Sequence, residues 1–155
     1  MIIQQTGEHI NNTEDFHQLL DLNDRQQENN EEEQQTDIFN RPLNWRAISR
    51  AYREEQNYTC EVCGFGGNQI ETNYDKRYIH VHHINPFDLK NTHRDNLKAV
   101  CILCHYYQDE HHQSNFEKPR LKRELISFVR KYQVMLNKMN NPYIEKFLEE
   151  YGNEL

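Results

Sequence analysis

The stretch YIHVHHINPFDLKNTHRDNLKAVCILCHYYQDEHH, residues 78–112, holds seven of the nine histidines and two of the four cysteines of this 155-residue chain. Ile79, Val81 and Ile84 alternate with histidines, the pattern of a half-buried strand over residues 77–84. Asn85-Pro86 ends that strand, because proline has no N–H for a ladder and favours a turn. A polar loop to Arg94 leads to Asn96 and a second strand over residues 97–101. A helix is predicted to follow over residues 102–112, opening on Cys101-x-x-Cys104-His105.

Upstream, NYTCEVCGFGG repeats the spacing with Cys60 and Cys63, and glycines 64, 66 and 67 let the backbone curl around an ion. Two Cys-x-x-Cys pairs supply the four thiolates of a tetrahedral zinc site. Such a site is structural, since four thiolates leave no open coordination position; redox pairs are the competing reading. Residues 68–74 read as a short strand, with Asp75 and Lys76 at the turn into the next one.

Asn44 is placed to cap a helix of about three turns in which Trp45, Ile48 and Tyr52 share one face. Arg46, Arg50 and Arg53 line the other, as a stripe for phosphates or as a solvated surface. After Lys118-Pro119, helical spacing of Leu121, Leu125, Phe128, Val129, Tyr132, Leu136 and Met139 predicts a long helix over 119–140, and a shorter one follows over 143–151. Lys118, Arg120, Lys122, Arg123, Arg130 and Lys131 give this region the strongest basic cluster.

The net charge of −7 is unevenly spread: residues 1–40 carry ten acids and one base, leaving fifteen acids and seventeen bases for 41–155. The first segment, rich in Gln, Asn and Glu, is expected to be a largely disordered acidic arm. Thr13 with Phe16, Leu19 and Leu20 forms one helical island in it, packing on its own domain or docking a protein partner. The arm's charge also suits it to compete with phosphates for the basic surface. Only 35% of residues are apolar, so the core is small and a metal clip is expected to support it. No run reaches the roughly 18 apolar residues of a membrane helix, and no signal-peptide core precedes the cysteines, which points to a reducing, cytoplasmic setting.

Over residues 58–112, the His-His pair, the later Asn and the Cys-x-x-Cys-His together resemble the HNH endonucleases, the ββα-metal nucleases. The resemblance implies an α+β fold: a small ββα-metal core (58–112) within a nuclease domain of residues 41–155, with the four-cysteine zinc site, flanking helices and the disordered arm. It implies hydrolysis of phosphodiester bonds, most simply in double-stranded DNA, with His82 as metal ligand, His83 as general base, Asn96 fixing the loop that orients the base, and His105 as second ligand. Many members carry a histidine four residues after the helical one, where this chain has Asp109. A carboxylate there suits Mg²⁺ or Mn²⁺, while His111 and His112 compete for the place. His80 and His93 receive no role. Proteins resembling this one serve in restriction, phage defence, mobile elements and toxins, alone or within larger complexes. The alternative is a zinc-held module that grips nucleic acid or protein without cutting.

Overall fold

The computed structural model describes residues 13–29, 34–108 and 110–155. Strands β1 (Ile79–His83) and β2 (Leu97–Cys101) form a two-stranded antiparallel sheet, with Ile79 opposite Cys101 and His83 opposite Leu97. A lone two-stranded ribbon is marginal in water, so what covers it matters. Around it stand α1 (Thr13–Asn29), α2 (Trp45–Glu55), α3 (Ile102–Tyr106), α4 (Glu110–Phe116), α5 (Pro119–Lys138) and α6 (Ile144–Tyr151). The result is a small α+β domain with its four cysteines close together.

Helix α5 lays Leu125, Phe128, Val129, Tyr132 and Leu136 into the core. Phe65 meets the rings of Phe128 and Tyr132 edge-on at centroid distances of 5.0 and 4.8 Å, and Tyr78 lies 5.1 Å from Phe128. Below this aromatic group, the buried Asp75 carboxylate accepts hydrogen bonds from Lys131 and Tyr132 and pairs with Arg77. Burial acts to raise the Asp75 pKa, but the bonds from Lys131 and Tyr132 outweigh it and hold the carboxyl below its ordinary range.

That network explains one departure from the sequence reading. Instead of a strand over 68–74, the chain makes two 3-10 turns, Gly67–Gln69 and Asn73–Tyr78. The Thr72 hydroxyl accepts from the Asp75 amide, coiling the chain so that Asp75 turns inward. No described strand lies alongside to pair with an extended segment.

The helix expected over 102–112 is also divided. Helix α3 ends at Tyr106 with Tyr107 as its cap, and α4 starts at Glu110. In the segment expected to be a disordered arm, residues 13–29 form α1, which buries Phe16 and Leu20 against α2. Arg50 of α2 sits over the Phe16 ring, 5.7 Å from its centroid. Arg53 is half-buried and donates to the carbonyls of Ser49 and Ile79. The arginine stripe of α2 is thus divided between interior contacts and solvent, with Arg46 exposed. Among the described residues, no helix is long and apolar enough to cross a membrane.

Candidate functional site

The upstream knuckle is a tight turn in which the Cys60 amide donates to the Phe65 carbonyl and the Gly64 amide to that of Cys60. Gly66 has φ +133°, and a Cβ there would stand 2.0 Å from the Tyr58 carbonyl oxygen, so only glycine closes this turn. The turn docks on β2 through Glu61: its amide donates to the Ala99 carbonyl and its carboxylate accepts from the Ala99 amide at 2.6 Å. This clasp brings Cys60 and Cys63 against Cys101 and Cys104. The four Sγ atoms lie within 4.8 Å of one another, and none is in a disulfide. Cys63 Sγ and Cys101 Sγ are 3.9 Å apart, against about 3.8 Å for two sulfurs on one tetrahedral zinc with Zn–S bonds of about 2.3 Å. The Asn141 side-chain amide donates to Cys104 Sγ at 3.4 Å, an outer contact suited to a thiolate. The group fits a structural zinc ion.

A second group lies one residue further on. His82 from β1, His105 from α3 and His112 from α4 bring one ring nitrogen each within 4.8 Å of the others. Nε2 of His112 and Nδ1 of His82 are 2.9 Å apart, against about 3.0 Å for neighbouring nitrogens on an octahedral ion and about 3.4 Å on a tetrahedral one with bonds of about 2.1 Å. Nδ1 of His105 faces Nδ1 of His80 at 2.9 Å, which leaves His105 Nε2 for an ion. Burial, with His80 nearby, holds His105 well below the ordinary imidazole pKa. Burial and the charge of Arg53 push His80 down to about 4. Neutral imidazoles are the form that binds metals. Asp109, the expected third ligand, lies outside the described residues. On one continuous helix, positions 105 and 112 would be about two turns apart; here they lie on separate helices, α3 and α4, that are in contact.

His83 points to the other side of β1, as adjacent strand residues must. Trp45 of α2 lies against its ring, tilted by 30° at a centroid distance of 4.5 Å. The Leu89 backbone carbonyl faces the imidazole, while the buried Nε2 has no protein partner. Burial, then the Arg41 charge, push its pKa down to about 4, against the opposing pull of Asp88 and the Leu89 carbonyl. The imidazole is therefore uncharged at neutral pH.

Asn96 sits just before β2 and is almost fully buried. Its Oδ1 accepts from the Asn85 amide at 2.8 Å, and its Nδ2 donates to the carbonyls of Asn91 (2.8 Å) and Asp88 (3.2 Å). One side chain thus ties together both ends and the middle of the loop that presents Leu89 to His83. His93 caps the 3-10 turn Arg94–Asn96 by accepting from the Asp95 amide, a structural task.

His82, His83, His105 and His112 line one cleft of about 600 Å³, whose walls include Phe39, Arg41, Trp45 and Lys118. Arg41 and Trp45 were not singled out for this site in the sequence; their placement depends on the packing of α2, and the segment before it, against β1, which no local pattern encodes. Much of the basic cluster on α5 is engaged elsewhere: Lys131 with Glu71 and Asp75, Lys122 with Glu154, Arg120 with Glu124, and Arg130 with the backbone carbonyls of Glu154 and Leu155.

Comparison with known proteins gives one informative likeness. No protein-family profile matches the chain, and no solved structure does. The Zorya protein ZorE of Escherichia coli is 38% identical to it over 68 residues, which is 44% of this chain. The chain is thus a partial homologue of ZorE, and the match spans 17% of that relative's length.

Proposed function

We propose that this protein is a metal-dependent HNH endonuclease that hydrolyses phosphodiester bonds of double-stranded DNA. The observation that carries this reading is the shared cleft: three converging imidazoles on one side of β1 and, on the other, His83 with a buried, unpartnered Nε2. A divalent ion on His82, His105 and His112 would supply charge stabilisation at the phosphate and the leaving oxygen. Of the two ions expected from sequence, this donor set favours Mn²⁺ over Mg²⁺, because imidazole suits first-row transition ions and Mg²⁺ prefers oxygen.

His83 Nε2 takes the proton of the attacking water, and the positive charge it gains stays on the imidazole, oriented by the Leu89 carbonyl. Asn96 keeps that carbonyl in place by pinning the loop. Arg41 and Lys118, both lining the cleft, supply charge for the phosphate backbone. The four-cysteine group holds α3, and with it His105, through a zinc ion. Among the roles served by proteins of the resembled family, the likeness to a Zorya protein favours phage defence. The reading covers both a free enzyme and the nuclease subunit of a larger complex.

The test is conversion of supercoiled plasmid to nicked or linear product, with Mn²⁺, Mg²⁺, Zn²⁺ or chelator. The wild-type protein should cut only with an ion present. His83→Ala should abolish product while retaining ion affinity, zinc content and fold. DNA binding with no ion-dependent product from the wild type would leave the alternative, a zinc-held binding module.

A further inference from the structure

Helix α1 docks through Phe16 and Leu20, yet it also buries two polar residues that docking does not require. Asn23 and Thr92 are 4% and 0% exposed, 69 positions apart in sequence. Asn23 Nδ2 donates to the Thr92 carbonyl at 2.8 Å, and the Thr92 hydroxyl donates back to Asn23 Oδ1 at 3.2 Å. The Thr92 amide donates to Gln27 Oε1 at 3.2 Å. Every hydrogen-bonding group of Thr92 is therefore answered by α1. The next residues are gripped too: the Arg94 amide donates to Asp24, and its guanidinium pairs with Asp21, Asp24 and Glu55.

Buried polar groups are costly unless satisfied, so a network of this kind fixes geometry more than it adds adhesion. What it fixes is the loop of residues 85–96. Thr92 directly follows Asn91, whose carbonyl is held by Asn96, and Leu89, whose carbonyl faces His83, lies between the two Asn96 anchors at Asp88 and Asn91. The loop is thus tied from inside by Asn96 and from outside by α1.

We infer that Asn23 is a positioning residue for the proposed cleavage, acting through Thr92 on the loop that orients His83. The inference rests on the proposed role of His83 for its effect on rate, but its structural content can be read without cleavage. It also gives α1 a task opposite to that of a competitor for DNA: removing the helix slackens the site.

The experiment uses the full chain with Asn23→Ala, Thr92→Ser as the conservative variant, and Glu28→Gln as a control at an exposed pair with His93. Hydrogen exchange of the Asn85 amide, the donor to Asn96 Oδ1, reports how firmly the loop is held. In Asn23→Ala this exchange should accelerate about tenfold, and kcat on plasmid should fall about tenfold, with KM and Mn²⁺ affinity unchanged. Thr92→Ser and Glu28→Gln should match the wild type. Should Asn23→Ala fail to fold, Gln27→Ala, which removes only the acceptor for the Thr92 amide, takes its place with the same expected signs. Wild-type exchange at Asn85 in a folded variant overturns the inference, as does a loss of Mn²⁺ affinity in step with the loss of rate. If the wild type itself cuts no DNA, the nuclease reading fails while the exchange comparison still decides the clamp.

Discussion

Asn96→Ala removes three hydrogen bonds at once, to the Asn85 amide and to the carbonyls of Asp88 and Asn91. At a net worth of about 1 kcal/mol each, the bonds sum to about 3 kcal/mol. Asn85 and Asp88 are exposed, so water can take up part of what they lose, and the expected destabilisation is about 2 kcal/mol. A domain of ordinary stability survives that loss. The larger effect falls on His83, whose carbonyl partner at Leu89 is no longer held, and cleavage should drop about 100-fold. Asn96→Asp keeps the acceptor for the Asn85 amide but turns a carboxylate towards two carbonyls, so it should destabilise at least as much. Urea denaturation of zinc-loaded protein gives the first quantity and plasmid cleavage under Mn²⁺ saturation the second. A stability change under about 0.5 kcal/mol together with wild-type cleavage would refute the reasoning, because the loop would then be held without Asn96.

Cys104→Ser should unfold the domain and remove the one tightly bound zinc expected per chain, since this small core depends on the clip; elemental analysis and circular dichroism check both. His112→Ala should weaken Mn²⁺ binding by more than about tenfold, and Asp109→Asn should weaken it less, as read by calorimetric titration; the opposite ranking would return the third ligand to Asp109. Asp75, held below its ordinary pKa, contributes stability that is complete above the unfolded-state value of about 3.9 and is lost as pH falls through the lower folded-state value. The stability gap between wild type and Asp75→Asn should accordingly be constant near neutrality and close only in strong acid.

The local chemistry of this domain was legible in the sequence where short-range pattern determines it. Alternation of Ile79 and Val81 marks β1, Pro86 marks its end, and the two Cys-x-x-Cys pairs mark the four-thiol group, because each depends on neighbours a few residues away. Features made by distant segments were not. Phe16 and Leu20 look like a marginal amphipathic island until α2 is there to cover them, and the amide of Asn23 has no visible purpose without Thr92. Residues 68–74 have strand-like composition, yet inward capture of Asp75 by Lys131 and Tyr132, nearly sixty positions away, coils the chain instead. At the histidine group, a continuous helix was assumed from 102 to 112. The interruption after Tyr106 accompanies the arrival of His112 beside His82 and His105, and nothing in the spacing alone announces it.

Cys104 and His105 are consecutive, and they face two different groups of ligands. A peptide unit has almost no slack, so a shift of Cys104 is passed directly to His105. Occupancy of the two groups is then linked thermodynamically: whatever free energy a bound zinc lends to ion binding at the histidines, an ion at the histidines must return to the zinc.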